Sequence, residues 1–206
     1  VYPRVRDVIR DEVVTIAGNA PLSKALELFH AHNIRLLPVI DDDRRPLGLL
    51  VLKKVSEKFL VPSREAEIRR VTTSPDSIRQ CLKATPVHLV DEEKVEDLDL
   101  YVGAMATETF RDKVAPLDAR RIVLITGDRE SIQRVGVEAG VRVLVVTGSL
   151  PIADDIIETG RKNGVTILST PFDTATSTWL TRLSTPVSCL IRSEEHTSEL
   201  QSRQSI

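Results

Sequence analysis

Between residues 12 and 60 the spacing of apolar positions changes repeatedly. EVVTI reads as a short strand, PLSKALELFHAHN as a helix, RLLPVI as a strand, DDDRRP as a turn, LGLLVL as a strand and KKVSEKFL as a helix. The predicted order is β-α-β-β-α. In the first helix Leu22, Ala25, Leu26 and Phe29 recur at helical spacing and form one apolar stripe, and Pro21 suits the first helical position. A unit this small leaves one sheet face poorly covered and calls for a partner.

The stretch from Val61 to Pro75, containing Ser, Arg and Pro, joins this unit to a second region. There RIVLIT, VRVLVVT and VTILST are β-rich runs with apolar centres, separated by the helical segments DRESIQRVGVEAG and PIADDIIETGRKNG and followed by FDTATSTWLTRL. Continuous apolar strands alternating with helices predict a mainly parallel sheet flanked by helices. Upstream, DSIRQCLKA and PVHLV add a helix and a strand, and VEDLDLYVGAM precedes a short helix from Thr107 to Val114. The expectation is an α/β fold with an N-terminal unit at 1–60, a linker at 61–65 and a second domain at 66–187. A short remainder at 188–191 and a tail at 192–206 follow.

Composition narrows the function. The 206 residues are 41% hydrophobic, enough for one or two real cores. A net charge of −2, with no local Lys/Arg cluster, gives no electrostatic footprint for nucleic acid. Apolar runs such as Leu47 to Leu52 are too short to span a bilayer. Neither nucleic acid nor membrane is an expected partner. Cys81 and Cys189 lack disulfide or zinc-site spacing, which reads as a cytoplasmic protein. The chain opens on Val1 rather than Met, which predicts a cut N-terminus.

Three small polar turns follow the strong strands: Thr126-Gly127-Asp128-Arg129, Thr147-Gly148-Ser149 and Ser169-Thr170-Pro171-Phe172-Asp173. In a parallel sheet such turns converge on one edge. Exposed N–H groups at the following helix starts would attract an anion, and Gly127 and Gly148 would let it approach the backbone. The candidate nucleotide- or anion-binding residues are therefore Gly127, Asp128, Arg129, Thr147, Gly148, Ser149, Thr170 and Asp173. The same residues also fit a ligand-free reading, in which Thr170, Pro171 and Asp173 start a helix and Asp128 caps another. No GxxxxGK[ST] loop is present, and no Ser/His/Asp or Cys/His arrangement supplies catalytic residues. His30 and His32 face different directions on one helix, and Asp41, Asp42 and Asp43 fill a hairpin turn, so no metal site is expected.

VRDVI leading into EVVTI, then NIRLLPVID and PLGLLVLKKV, resembles a CBS domain, a module that works in pairs and often binds adenine nucleotides. ITGDRESIQ, VRVLVVTGSLP and ILSTPFDTATSTWL resemble a DRTGG domain. The resemblance runs from Tyr2 to Ile191. CBS followed by DRTGG, with YVGAM, GDRE and STPFDT in series, resembles the regulatory insert of CBS-containing family II inorganic pyrophosphatases. The resemblance implies adenine nucleotides as regulatory ligands and a second CBS domain, missing here apart from its start at 188–191. It also implies a DHH catalytic domain holding manganese (or magnesium or cobalt) and a homodimer. Diphosphate hydrolysis would belong to the parent enzyme, with no catalytic residue here. Stand-alone or transcription-linked nucleotide sensors also combine the two domains.

Two positions depart from the family pattern. After Gly48, Leu49 and Leu50, Val51 replaces the phosphate-binding hydroxyl and Lys54 the ribose-binding Asp. Lys54 then reads as a phosphate partner or as a surface residue. The TGG signature is Thr147-Gly148-Ser149, with serine in place of the last glycine. Nucleotide binding by this half-module alone is expected to be weak, and its open face is expected to self-associate or leave residues 1 to 60 loosely packed. Finally, Arg192 to Ser202 reads RSEEHTSELQS, the first-frame translation of a widely used sequencing adapter, which predicts an artefactual tail.

Overall fold

The computed structural model describes residues 13–60 and 69–191, arranged around two sheets. The predicted tail, the linker at 61–65 and the lead-in through VRDVI lie outside the described residues.

In the N-terminal unit β1 (Ile16–Ala17) runs parallel to β2 (Leu36–Ile40), which is antiparallel to β3 (Pro46–Val51). The alternation of side chains across the pleat decides the two faces. Leu37, Val39 and Leu50 turn inward against Leu22, Ala25 and Phe29 of α1 (Leu22–Ala31) and Val55 of α2 (Leu52–Leu60). Leu36 and Leu49 fall on the other parity and are 53% and 45% exposed, so the expected open face is present in these strands. It is partly covered by α8 (Ser188–Ile191), which packs on β3. A Cβ at Gly48 would stand 3.1 Å from the Ile191 side chain. Residues 188–191, expected to start a second CBS domain, thus lie against β3 of the first unit.

Two local expectations are corrected. Of Val13 to Ile16 only Ile16 pairs in a strand, which runs on through Ala17, and Gly18 N–H then bonds Ile40 O at 2.9 Å. Pro21 is the N-cap rather than the first helical residue, held extended (φ −70, ψ 154) by a bridge to Pro186.

The second sheet has the order β4-β6-β7-β8-β9-β5. Its centre, β6 (Glu96–Val102), β7 (Ile122–Thr126), β8 (Val143–Val146) and β9 (Thr166–Ser169), is parallel, as predicted. Both edges are antiparallel: β5 (Thr85–His88) on β9 and β4 (Arg70–Thr73) on β6. β4 corrects the reading of Val61 to Pro75 as a joining stretch. Its Val71 and Thr73 are buried, and an edge strand needs only one apolar side chain facing the core.

The continuous apolar runs are explained by burial on both faces. Ile122 and Leu124 of β7 meet Phe110 of α4 (Thr107–Val114), Ile132 of α5 (Glu130–Ala139) and Ile156 of α6 (Asp154–Lys162). Val123 and Ile125, on the opposite parity, meet Ile78 of α3 (Pro75–Cys81) and Leu180 of α7 (Thr174–Arg182). Two helical glycines bring α5 and α6 close to the sheet. A Cβ at Gly136 or Gly160 would stand 2.6 Å from Leu124 or Ile167, respectively.

At the amino edge of the sheet, buried Arg142 bonds Glu96 Oε2 at 2.6 Å and the carbonyls of Val90 and Asp91 at 3.0 and 3.1 Å.

Candidate functional site at the carboxyl edge of the parallel sheet

Because β7, β8 and β9 are parallel neighbours in register, their carboxyl ends lie side by side. The three polar turns meet there, and direct bonds join them. Thr147 N–H donates to Thr126 O at 3.0 Å, Gly148 N–H to Phe172 O at 2.9 Å and Ser149 N–H to Thr170 O at 2.8 Å. The hydroxyls of Thr147 and Thr174 lie 3.0 Å apart. Thr170, fully buried, donates its hydroxyl to Leu82 O at 2.7 Å and anchors this edge to α3. Gly127, Asp128, Arg129, Thr147, Gly148, Ser149, Thr170 and Asp173 therefore share one edge. Lys54 does not join them; it lies on α2 of the N-terminal unit.

The bonding corrects the picture of open amides. Gly148 and Ser149 have already spent their N–H groups on carbonyls. At the start of α7, Asp173 accepts from the Thr176 hydroxyl at 2.6 Å and the Thr176 N–H at 2.9 Å. These bonds, the hydroxyl first, hold its carboxyl below the usual range, so this helix start carries its own anion. Asp128 does not cap α5 through its side chain. Arg129 is the N-cap and makes no side-chain capping bond, while Asp128 contributes only its carbonyl, to Glu130 N–H at 3.0 Å. Arg129 instead donates from its guanidinium to Met105 O, tying the β6–α4 loop to the start of α5. Ser149 stands at φ 51 beside Gly148 at φ 73, so serine occupies the left-handed position that a third signature residue of Gly would take without strain.

Sequence reasoning missed Met105, Gln133 and Thr174. Gln133 is buried, bonds Gly127 O at 2.8 Å through Nε2, and leaves Oε1 unpartnered; the buried Thr126 hydroxyl is also unpartnered. Gln133 follows Arg129 by one helical turn, a spacing that could have found it. Met105 closes the YVGAM motif, but its role, which runs through its carbonyl, is not written in its side chain. A concavity of about 370 Å³ opens elsewhere, between the two units beside Gly18, Leu47, Ser74, Asp76 and Val95. Its Asp76 is engaged by Arg79 and Gln80.

Comparison with known proteins bears on both units. The family described as DRTGG domain matches residues 77–184. The chain belongs to that family. The CBS domain family matches residues 5–60, so a CBS domain precedes the DRTGG domain. A cobalt-dependent inorganic pyrophosphatase of Clostridium perfringens is 29% identical over 184 residues, 89% of this chain and 33% of its own length. A probable manganese-dependent inorganic pyrophosphatase of Thermotoga maritima is 21% identical over 92% of this chain and 34% of its own length. The chain thus spans about a third of the length of these curated relatives. A solved structure of the CBS and DRTGG domains of the regulatory region of Clostridium perfringens pyrophosphatase, complexed with the activator diadenosine tetraphosphate, superposes with a TM-score of 0.77. It is 27% identical, with 92% of this chain and 81% of that one covered. The CBS–DRTGG arrangement of this chain is the arrangement of that regulatory region.

Among the described residues no three His, Cys, Asp or Glu side chains come together to hold a metal. No helix among them is long and apolar enough to cross a membrane.

Proposed function

We propose that this chain is a regulatory region that senses adenine nucleotides and controls diphosphate hydrolysis by a metal-dependent inorganic pyrophosphatase. What carries the reading is the likeness, over 92% of this chain, to a regulatory region solved with its diadenosine tetraphosphate activator. In this reading the manganese or cobalt, the DHH catalytic domain and the second CBS domain belong to the parent enzyme, a cytoplasmic homodimer. The CBS domain here supplies one half of a shared nucleotide site, weakened because Val51 offers no hydroxyl to phosphate and Lys54 no carboxylate to ribose. Lys54 and the edge formed by Gly127, Arg129 and the hydroxyls of Thr147 and Ser149 are the anion contacts assigned to the sensor, since the amides of Thr147, Gly148 and Ser149 are already bonded to carbonyls. Arg129 supplies the positive charge there, and the Thr147–Thr174 pair supplies hydroxyls.

The decisive experiment replaces the matched region of the Clostridium perfringens enzyme with residues 1–191 and measures phosphate release against diadenosine tetraphosphate, with diguanosine tetraphosphate as control. Adenine-specific change in rate is expected. A chimera that hydrolyses diphosphate yet ignores both dinucleotides overturns the reading. Calorimetry on the isolated chain is expected to show only weak AMP binding, and tight binding would overturn the half-site assignment.

A further inference from the structure

The two domains are joined by more than side-chain contact. After α7 the chain runs back along the loop that precedes α1, and four backbone bonds link them. Leu22 N–H donates to Thr185 O at 2.9 Å and Ser23 N–H to Leu183 O at 3.0 Å. In return Val187 N–H donates to Ala20 O and Ser188 N–H to Gly18 O, each at 2.9 Å. Pro21 and Pro186 pair at the centre, where neither has an N–H to offer. The first-turn amides of α1 need outside acceptors, since its N-cap Pro21 has no side chain able to cap it. The second domain supplies those acceptors.

The same segment is anchored on both sides. Ser184, fully buried, places its hydroxyl 2.7 Å from the Thr73 hydroxyl of β4 and donates to Thr181 O at 2.6 Å. Leu183 and Val187 are buried in the core of the CBS domain beside Leu22 and Ala25. Cys81 closes the seam from α3, its Sγ 3.0 Å from Ser23 Oγ and 3.6 Å from Leu183 O. Burial there raises its thiol pKa to about 11, against the Ser23 hydrogen bond that lowers it.

We propose that residues 18–23 and 183–188 form a clasp that opens in one step and mechanically couples the CBS domain to the DRTGG domain. Breaking the Leu22 or Ser23 bond uncaps α1, and moving residues 183–187 pulls Leu183 and Val187 out of the CBS core, so movement on either side reaches the other through the clasp. The inference does not depend on which ligand the chain senses.

The test uses the full chain with Cys189→Ser, so that Cys81 is its one thiol, combining hydrogen exchange with thiol labelling by a maleimide. The amides of Leu22, Ser23, Val187 and Ser188 are expected to share one opening constant, which also governs labelling of Cys81. Ser188→Pro removes one donor at the first position of α8, where proline fits a helix. Losing that bond is expected to speed Cys81 labelling and exchange at Leu22 and Ser23 about fivefold. Exchange at Leu124 and Val145 in the DRTGG sheet should not change. Val187→Ala is the second probe, since it removes a fully buried side chain that this segment places in the CBS core and should loosen the clasp. Leu22 and Ser23 exchanging independently of Val187 and Ser188, or unchanged Cys81 labelling in both variants, would overturn the proposal. So would loss of protection at Leu124 in both, because the segment would then belong to the DRTGG core rather than to a seam.

Discussion

Removing Arg142 is expected to cost the DRTGG domain about 3 kcal/mol, the lower end of the range for breaking a buried ion pair. The guanidinium is 7% exposed and supports Glu96 together with two carbonyls that lie between β5 and β6. Arg142→Ala removes a partner from all three acceptors, although Val90 O keeps the Thr166 hydroxyl at 3.3 Å. The full buried-pair penalty is not reached, because Glu96 is 25% exposed and keeps Lys94 at 2.8 Å. With a urea slope of about 2 kcal/mol per molar, the midpoint should fall by about 1.5 M at pH 7. Glu96 also gives the effect a pH signature. Burial pushes its carboxyl up, but bonds from Lys94 and Arg142 outweigh this and hold it below the usual range. A carboxyl lowered on folding contributes stability that is fully present above its unfolded value and is lost as pH falls through the folded one. The gap between wild type and variant should therefore narrow below the ordinary glutamate value of about 4.3. Urea melts followed by circular dichroism at pH 7 and pH 3 would check both points. A midpoint shift under about 0.5 M, or an equal gap at the two pH values, would refute the argument.

Three further substitutions probe the sheet and its carboxyl edge. Ser149→Gly removes a left-handed serine and should raise stability by about 0.5 kcal/mol, after allowing for the greater freedom of glycine in the unfolded chain; thermal melts read it, and a loss would mean that the serine side chain stabilises the turn. Gly160→Ala places a Cβ 2.6 Å from Ile167 and should cost about 1–3 kcal/mol in chemical denaturation, whereas a neutral result would show that α6 can slide. Thr170→Val takes the donor from Leu82 O while keeping the shape and should cost about 1–2 kcal/mol, with faster exchange at Phe172, whose N–H bonds the Thr170 hydroxyl at 3.3 Å.

The regular parts of the fold were legible because burial writes itself into apolar spacing. Ile122 to Ile125 and Val143 to Val146 are apolar at every position since helices cover both faces, and the parallel arrangement follows from the helices between them. β4 was not legible because Thr73, one of its two inward residues, is polar and satisfied by Ser184 from the far end of the domain. Convergence of the turns followed from strand direction alone. Their hydrogen bonds did not, since Phe172 O and Thr170 O meet the amides of Gly148 and Ser149 only after β9 has docked. Asp128 and Arg129 show the limit of motif reasoning: GDRE places two polar residues before α5, but only the backbone path decides which is the cap.

The distance along the chain between paired segments sets an order of assembly during synthesis. β5, at Thr85–His88, waits for β9 at Thr166–Ser169, and the loop at 18–23 waits for residues 183–188. At about 5–20 residues per second, roughly ten to thirty seconds separate the appearance of Ser23 from that of Ser188. Throughout that interval the nascent CBS domain lacks Leu183 and Val187 from its core and the acceptors for its first helix. Chains that stall before Val187 should therefore carry a defective CBS domain, and ribosome-associated chaperones should hold residues 13–60 until residues 183–188 emerge.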